Sequence, residues 1–243
     1  MKPILLALIV AWFSVVGPIA AAEPPIADAE PAKATPPATK MGIPTDLIVA
    51  TKFDQPTPPT RKSAIHGWHA GIGQWTVKDG VLHGDEVAED KHASSCTYRL
   101  QATDLIIIAQ VRLGTAQSIS IGCRDTVPPN NHLARIYISP AALWVQKMSG
   151  ISKTTKSEKV TQQKVTLDPE KWYPVTIEII GDQYLAQIGD QTLYARHERF
   201  KDAKGIVALI TKGQGAQFKD VALWHAKPNP AWKAPEKGGE AAK

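Results

Sequence analysis

Gly73–Gly84, GQWTVKDGVLHG, reads as a β-hairpin. A strand over Gln74–Lys78 meets a tight turn at Asp79-Gly80, and Val81–His83 returns. Glycine accepts the positive φ that a two-residue turn demands, and aspartate can bond nearby backbone. Working outward, nearly every later segment is short, alternating and bounded by Gly, Asp or Pro. Ser95–Gln101 places Cys96, Tyr98 and Leu100 on one face. Leu105–Leu113 begins apolar on both faces and ends alternating. Ser118–Arg124 turns Ile119, Ile121 and Cys123 inward and leaves Ser118, Ser120, Gly122 and Arg124 on the other face. Leu133–Ser139 and Ala142–Met148 form a hairpin, and Val160–Leu167 follows as a strand. Lys171–Ile180 aligns Tyr173, Val175, Ile177 and Ile179. Gln183–Ile188, Thr192–His197, Gly205–Ile210 and Gln217–His225 complete the set. Only Arg199–Ala203 reads as a helical turn. Before the hairpin come a strand at Leu47–Phe53, a proline-rich loop at Asp54–Lys62 and a short strand at Ile65–Trp68. About a dozen such strands predict an all-β, antiparallel, two-sheet jelly-roll sandwich.

The ends differ from this body. A charged start, an apolar run Ile4–Val16 and Ala20-Ala21-Ala22 predict a secretory signal peptide over residues 1–22, cleaved after Ala22. The run is too short for a membrane span. Residues 23–45 are rich in Pro and Ala and too poor in apolar side chains to offset ordering entropy, so they read as a tether. Residues 227–243 share that character, leaving 46–226 as the predicted domain. The expected location is periplasmic or extracellular, with no membrane span after cleavage.

The net charge is +5. No dense basic stripe interleaved with aromatics occurs, so nucleic acid is not an expected partner. The two cysteines, Cys96 and Cys123, sit on strands of an exported chain. A disulfide and two separate buried thiols both fit. Ser149–Lys159 is polar and basic and reads as a mobile loop.

The order of motifs resembles a known family. Trp68 precedes G-x-W-x-V-x-D-G-V-L-x-G (Gly73–Gly84). Then come a strand ending Val111-Arg112, SISIGCR, WYPVTIEIIGD (Trp172–Asp182), GIVAL (Gly205–Leu209) and a strand opening AQFKDV (Ala216–Val221). This resembles the concanavalin A-like jelly rolls of the 3-keto-disaccharide hydrolase type, over about Phe53 to Trp224. The resemblance implies a sandwich with a concave sheet that meets sugars, and permits a glycan-cleaving hydrolase. Enzymatic members carry a tyrosine–glutamate-rich strand after the equivalent of Ser118–Arg124. Here no carboxylate occurs between Asp125 and Glu158, so no catalytic acid carries over.

Glycoside hydrolysis requires two carboxylates flanking the bond. Glu178, on a strand but off its apolar face, is the weak catalytic candidate, facing either a groove or water. His83, Asp85 and Glu86, with Asp90 and His92, are weak metal candidates without a defined spacing. The ligand-binding candidates are Arg112, Arg124, His132, Arg135, Tyr137 and Trp144: guanidinium forks for sugar hydroxyls or carboxylates, and aromatic rings for stacking. Trp68, Trp75 and Trp172 read first as core, and Trp144 as the tryptophan to be exposed. No phosphate loop, G-x-S-x-G or zinc-protease signature occurs, and no cofactor is predicted. The expected function is an exported, non-catalytic carbohydrate- or envelope-glycan-binding domain. A glycoside-cleaving hydrolase and an envelope interaction module are the alternatives.

Overall fold

A computed structural model describes residues 35–235. The predicted signal peptide and its predicted cleavage site lie outside the described residues, as do residues 23–34 and 236–243. The strands are β1 (Gly42–Thr51), β2 (Thr57–Thr60), β3 (Ser63–Ile65), β4 (Trp68–Ile72), β5 (Gln74–Lys78), β6 (Val81–Asp85), β7 (Ser94–Ala102), β8 (Leu105–Arg112) and β9 (Ser118–Asp125). They continue with β10 (His132–Ile138), β11 (Ala142–Ser149), β12 (Lys156–Lys164), β13 (Tyr173–Ile180), β14 (Gln183–Ile188), β15 (Gln191–Arg196), β16 (Lys204–Lys212) and β17 (Ala216–Pro228).

The opening hairpin is β5–β6. Asp79 and Gly80 have φ of 53° and 74°, the left-handed pair of a two-residue turn. The turn sets the register Lys78 with Val81, Val77 with Leu82 and Trp75 with Gly84. Trp75, Val77 and Leu82 therefore share the inner face and are buried. Gly84 is needed for close approach: a Cβ there would stand 2.6 Å from the Trp75 ring. The Trp75 indole N–H donates to the Ile72 carbonyl at 2.9 Å.

Two antiparallel sheets face each other. The first has the order β15-β14-β13-β8-β17-β6-β5-β2, with β1 also pairing β17. The long β17 pairs β6 through its first residues and β1 through the rest. The second sheet has the order β12-β11-β10-β9-β16-β7-β4-β3. Between them lies one core holding Phe53, Trp68, Trp75, Tyr184, Phe200 and Phe218. Burying each such phenylalanine contributes roughly 1.5–3 kcal/mol.

Several segments differ from expectation. Ile65–Trp68 is not a strand but a turn, with His66 and Gly67 at positive φ linking β3 to β4. Thr57–Thr60, read as loop, is an edge strand; prolines 58 and 59 are tolerated because an edge has unpaired positions. The end of the basic loop forms β12, an exposed edge strand studded with lysines, which discourage further pairing. The Arg199 region forms a 3-10 turn, Glu198–Lys201. Cys96 and Cys123 are buried free thiols on β7 and β9, which β16 separates.

The packed unit also extends on both sides of residues 46–226, from Thr39 to Trp232. Glu178 explains this. It points outward from the first sheet but is fully buried. Its carboxyl oxygens accept backbone N–H bonds from Lys40, Met41 and Gly42 at 3.0, 2.7 and 2.6 Å. Asn229 ties the other end down, donating from its backbone to Met41 and from its side chain to Lys40. Met41, Ile180 and Leu185 form a small second core there, with Tyr194 and Trp232 packed against it.

Candidate functional site

The outward face of the second sheet brings together five of the six predicted binding residues. On β9, Arg124 and Gly122 point outward. The register places Arg135 beside Gly122 and Tyr137 beside Ser120. On β11, Gln146 pairs with Arg135 and Trp144 with Tyr137. On β16, Ala208 lies beside Gly122 and Ile210 beside Ser120. Gly122, Arg124, His132, Arg135, Met148 and Ala208 line a narrow depression. Gly122 makes the room, since a Cβ there would stand 3.1 Å from the Arg135 Cβ. Ser118 and Ser120, which share the outward face of β9, are both buried.

Arg135 donates from Nε to the Gln146 side-chain oxygen at 2.8 Å. Arg124 is half-buried, and its Nε is shielded from solvent without a partner. Burial lowers the pKa of both guanidinium groups, and for Arg124 the charge of Arg99 adds to this. His132 is pushed down to about 4, first by burial and then by Arg124, Arg135 and His92. It is a neutral imidazole at pH 7. One end of the depression is braced by Arg199. That side chain pairs with Asp202 and with Asp125 at 2.8 Å, and donates to the carbonyls of Met148 at 3.1 Å and His132 at 3.2 Å.

Tyr137 and Trp144 stack with ring centroids 3.7 Å apart and 16° between planes. The Lys159 ammonium stands 4.2 Å from the Trp144 ring. Parallel rings at that spacing leave no gap, so the ammonium takes the far face. Trp144 thus has both faces occupied and is not the open platform expected of it. Its indole N–H is shielded and unpartnered.

The remaining candidates lie elsewhere. Arg112 belongs to the first sheet, where its Nε and Nη2 donate to Gln217 at 2.9 and 2.6 Å and its guanidinium sits 5.2 Å from the Trp172 ring. Glu178 faces no groove; its oxygens are committed to the backbone of residues 40–42. His83 lies beside Gln217 on the first sheet, its pKa lowered mainly by burial. Asp85 accepts from Gly215 N–H at 2.7 Å, and Glu86 accepts from Gly213 N–H at 2.7 Å and from Lys212 at 2.9 Å. These bonds hold the β16–β17 connection. Among the described residues, no cluster of three or more metal-ligating side chains forms.

Sequence reading missed Gln146, Met148, Ala208, Lys159 and Arg199. Alternation along β11 and β16 marks which residues face outward, but only strand order makes Ala208 a neighbour of Gly122.

The sandwich matches known structures. It is similar to the carbohydrate-binding module CBM66 from Bacillus subtilis, with a TM-score of 0.54, 15% identity, and coverage of 69% of this chain and 99% of that one. The CBM2 module of the evolved Dit of Lactobacillus casei BL23 phage J-1 gives a TM-score of 0.54 at 13% identity, over 80% of this chain and 100% of that one. LamA E269S from Z. galactanivorans, in complex with laminaritriose and laminaritetraose, gives 0.52 at 9% identity, over 75% and 100%. The fold is therefore a two-sheet jelly-roll sandwich, shared with these structures. No family model matches the sequence. No curated protein matches it either.

Proposed function

We propose that this protein is an exported carbohydrate-binding jelly roll that holds glycan on the outward face of its second sheet, without catalysis. The observation that carries this reading is Arg124. A half-buried guanidinium with a shielded, unpartnered Nε costs stability unless something else bonds it. It borders a depression kept open by Gly122, next to a second arginine and a stacked Tyr137–Trp144 pair. The support from the comparisons is one of class: two of the similar folds are carbohydrate-binding modules by name. The signal-peptide pattern of residues 1–22 supports export to the periplasm or beyond. Among the described residues, no helix is long and apolar enough to cross a membrane.

The resemblance to 3-keto-disaccharide hydrolases also permits bond cleavage. A pair of carboxylates on one groove is needed for that, and Asp125, next to Arg124 in sequence, is 3% exposed and paired with Arg199. A glycan array combined with reducing-sugar release tests the reading. The expected result is retention of a glycan without turnover, weakened at least about tenfold in the Arg124→Ala/Arg135→Ala double variant. Binding that survives both substitutions places the site elsewhere. Measurable sugar release overturns the non-catalytic reading.

A further inference from the structure

The arginines of the second sheet are set apart by what they lack. The ion pairs of the described residues run through Arg61, Lys147, Arg196, Arg199, Lys201 and Lys212. Arg124 and Arg135 join none of them, and neither does Arg99. Arg99 and Arg124 both pair in register with Ile206. Two strand spacings put their backbones about 10 Å apart on one sheet. Around the depression the other polar neighbours include Gln146, the neutral His132 and, over Trp144, Lys159; the acidic groups at the braced end, Asp125 and Asp202, both pair with Arg199. The carboxylate closest in sequence, Asp125, is already held by Arg199. The face therefore concentrates positive charge, partly withdrawn from water, and among the described residues no carboxylate pairs with Arg99, Arg124 or Arg135.

Neutral sugar hydroxyls do not need that arrangement. A hydroxyl is a weak partner for a guanidinium, whereas a planar oxyanion matches the fork and forms a charge-assisted pair. The occupied faces of Trp144 point the same way, because stacking on a neutral sugar ring is not freely offered there.

We infer that the glycan held at this face is anionic: a polysaccharide whose carboxylate or sulfate group is taken by Arg124 and Arg135, with Lys159 contributing at the Trp144 end. This rests on the glycan-binding reading above and narrows it. The shared chemistry is an oxyanion on a sugar; uronate and sulfate ester are its two sources.

Affinity electrophoresis of the full chain separates the outcomes. The probes are polygalacturonate for uronate, a sulfated galactan for sulfate, laminarin as a neutral glucan and a single-stranded DNA oligonucleotide as a non-sugar polyanion. One or both acidic polysaccharides are expected to retard the protein strongly, laminarin and DNA weakly. Retardation is expected to fall at least about tenfold in Arg124→Gln/Arg135→Gln and to weaken with added salt. Arg124→Lys, which keeps the charge and loses the fork, gives an intermediate loss. Arg112→Gln/Lys219→Gln, removing the same charge from the first sheet, leaves binding unchanged. Retardation by laminarin equal to that by the acidic glycans overturns the anionic assignment and leaves glycan binding standing. Retardation by no polysaccharide overturns both. Equal retardation by DNA, or equal loss in the Arg112/Lys219 variant, shows general electrostatic attraction and overturns the inference. A melting temperature for each variant distinguishes lost binding from lost folding.

Discussion

Glu178 and Arg124 both project away from the core, from opposite sheets, and each carries a charged group type into a shielded place. On the first sheet the cover is complete. The chain from Thr39 to Gly42 lies across Glu178 and gives it three backbone donors, and Trp232 and Tyr194 close the rim through a shared bond to Gln183. On the second sheet no side chain or backbone group among the described residues bonds the Arg124 Nε. Completed hydrogen bonding around a buried polar group marks architecture; the open, shielded donor of Arg124 is the ground on which a ligand is proposed there.

This contrast can be broken experimentally. The largest effect is expected from Glu178→Leu, which orphans the N–H groups of Lys40, Met41 and Gly42. A stability loss of roughly 3–5 kcal/mol is expected by urea denaturation, without change in ligand contacts. A loss below about 1 kcal/mol would show that the terminal strap is not anchored there.

Gly122→Ala comes next. The added Cβ presses on the Arg135 stem and narrows the depression. A stability cost of about 1–3 kcal/mol is expected, together with weaker glycan binding. Full binding in this variant moves the site off the depression.

Arg124→Met is expected to do the reverse of Glu178→Leu. Removing an unpaired, half-buried cation while keeping an apolar stem is expected to hold or raise stability by about 1 kcal/mol while weakening binding. A large destabilisation would place Arg124 with Glu178 as architecture.

The last prediction concerns pH. His132 titrates near 4 in the folded chain against 6.5 for a free imidazole. Between these values the unfolded chain binds the extra proton, so stability rises with pH across that window and is lost as pH falls through it. His132→Gln is expected to flatten the slope of stability between pH 4 and 6.5. The slope is unchanged if the imidazole is free to protonate in the fold.

Much of the fold was legible. Asp79-Gly80 predicts a turn because only residues tolerant of positive φ fit there, and Tyr173, Val175, Ile177 and Ile179 alternate because one face of β13 meets the core. His66-Gly67 carried the same turn chemistry but was absorbed into a strand, since the apolar Ile65 and Trp68 flank it closely. The site was legible in part. Arg124, His132, Arg135, Tyr137 and Trp144 are close in sequence and come together through consecutive hairpins. Arg112 was grouped with them by sequence proximity, yet β8 and β9 lie in different sheets.

The sequence by itself determined strand periodicity, turn positions and which residues face inward, because these depend on backbone sterics and local alternation of apolar side chains. Only the tertiary structure decided what happens to the outward-facing groups. A proline- and alanine-rich segment shows no sign, in its own residues, that its backbone N–H groups will satisfy a glutamate 138 residues away from Lys40. Nor does the Arg124 strand reveal that its Nε will be left without a partner among the described residues. Strand order and the path of the termini set both outcomes, and those are properties of the packed whole.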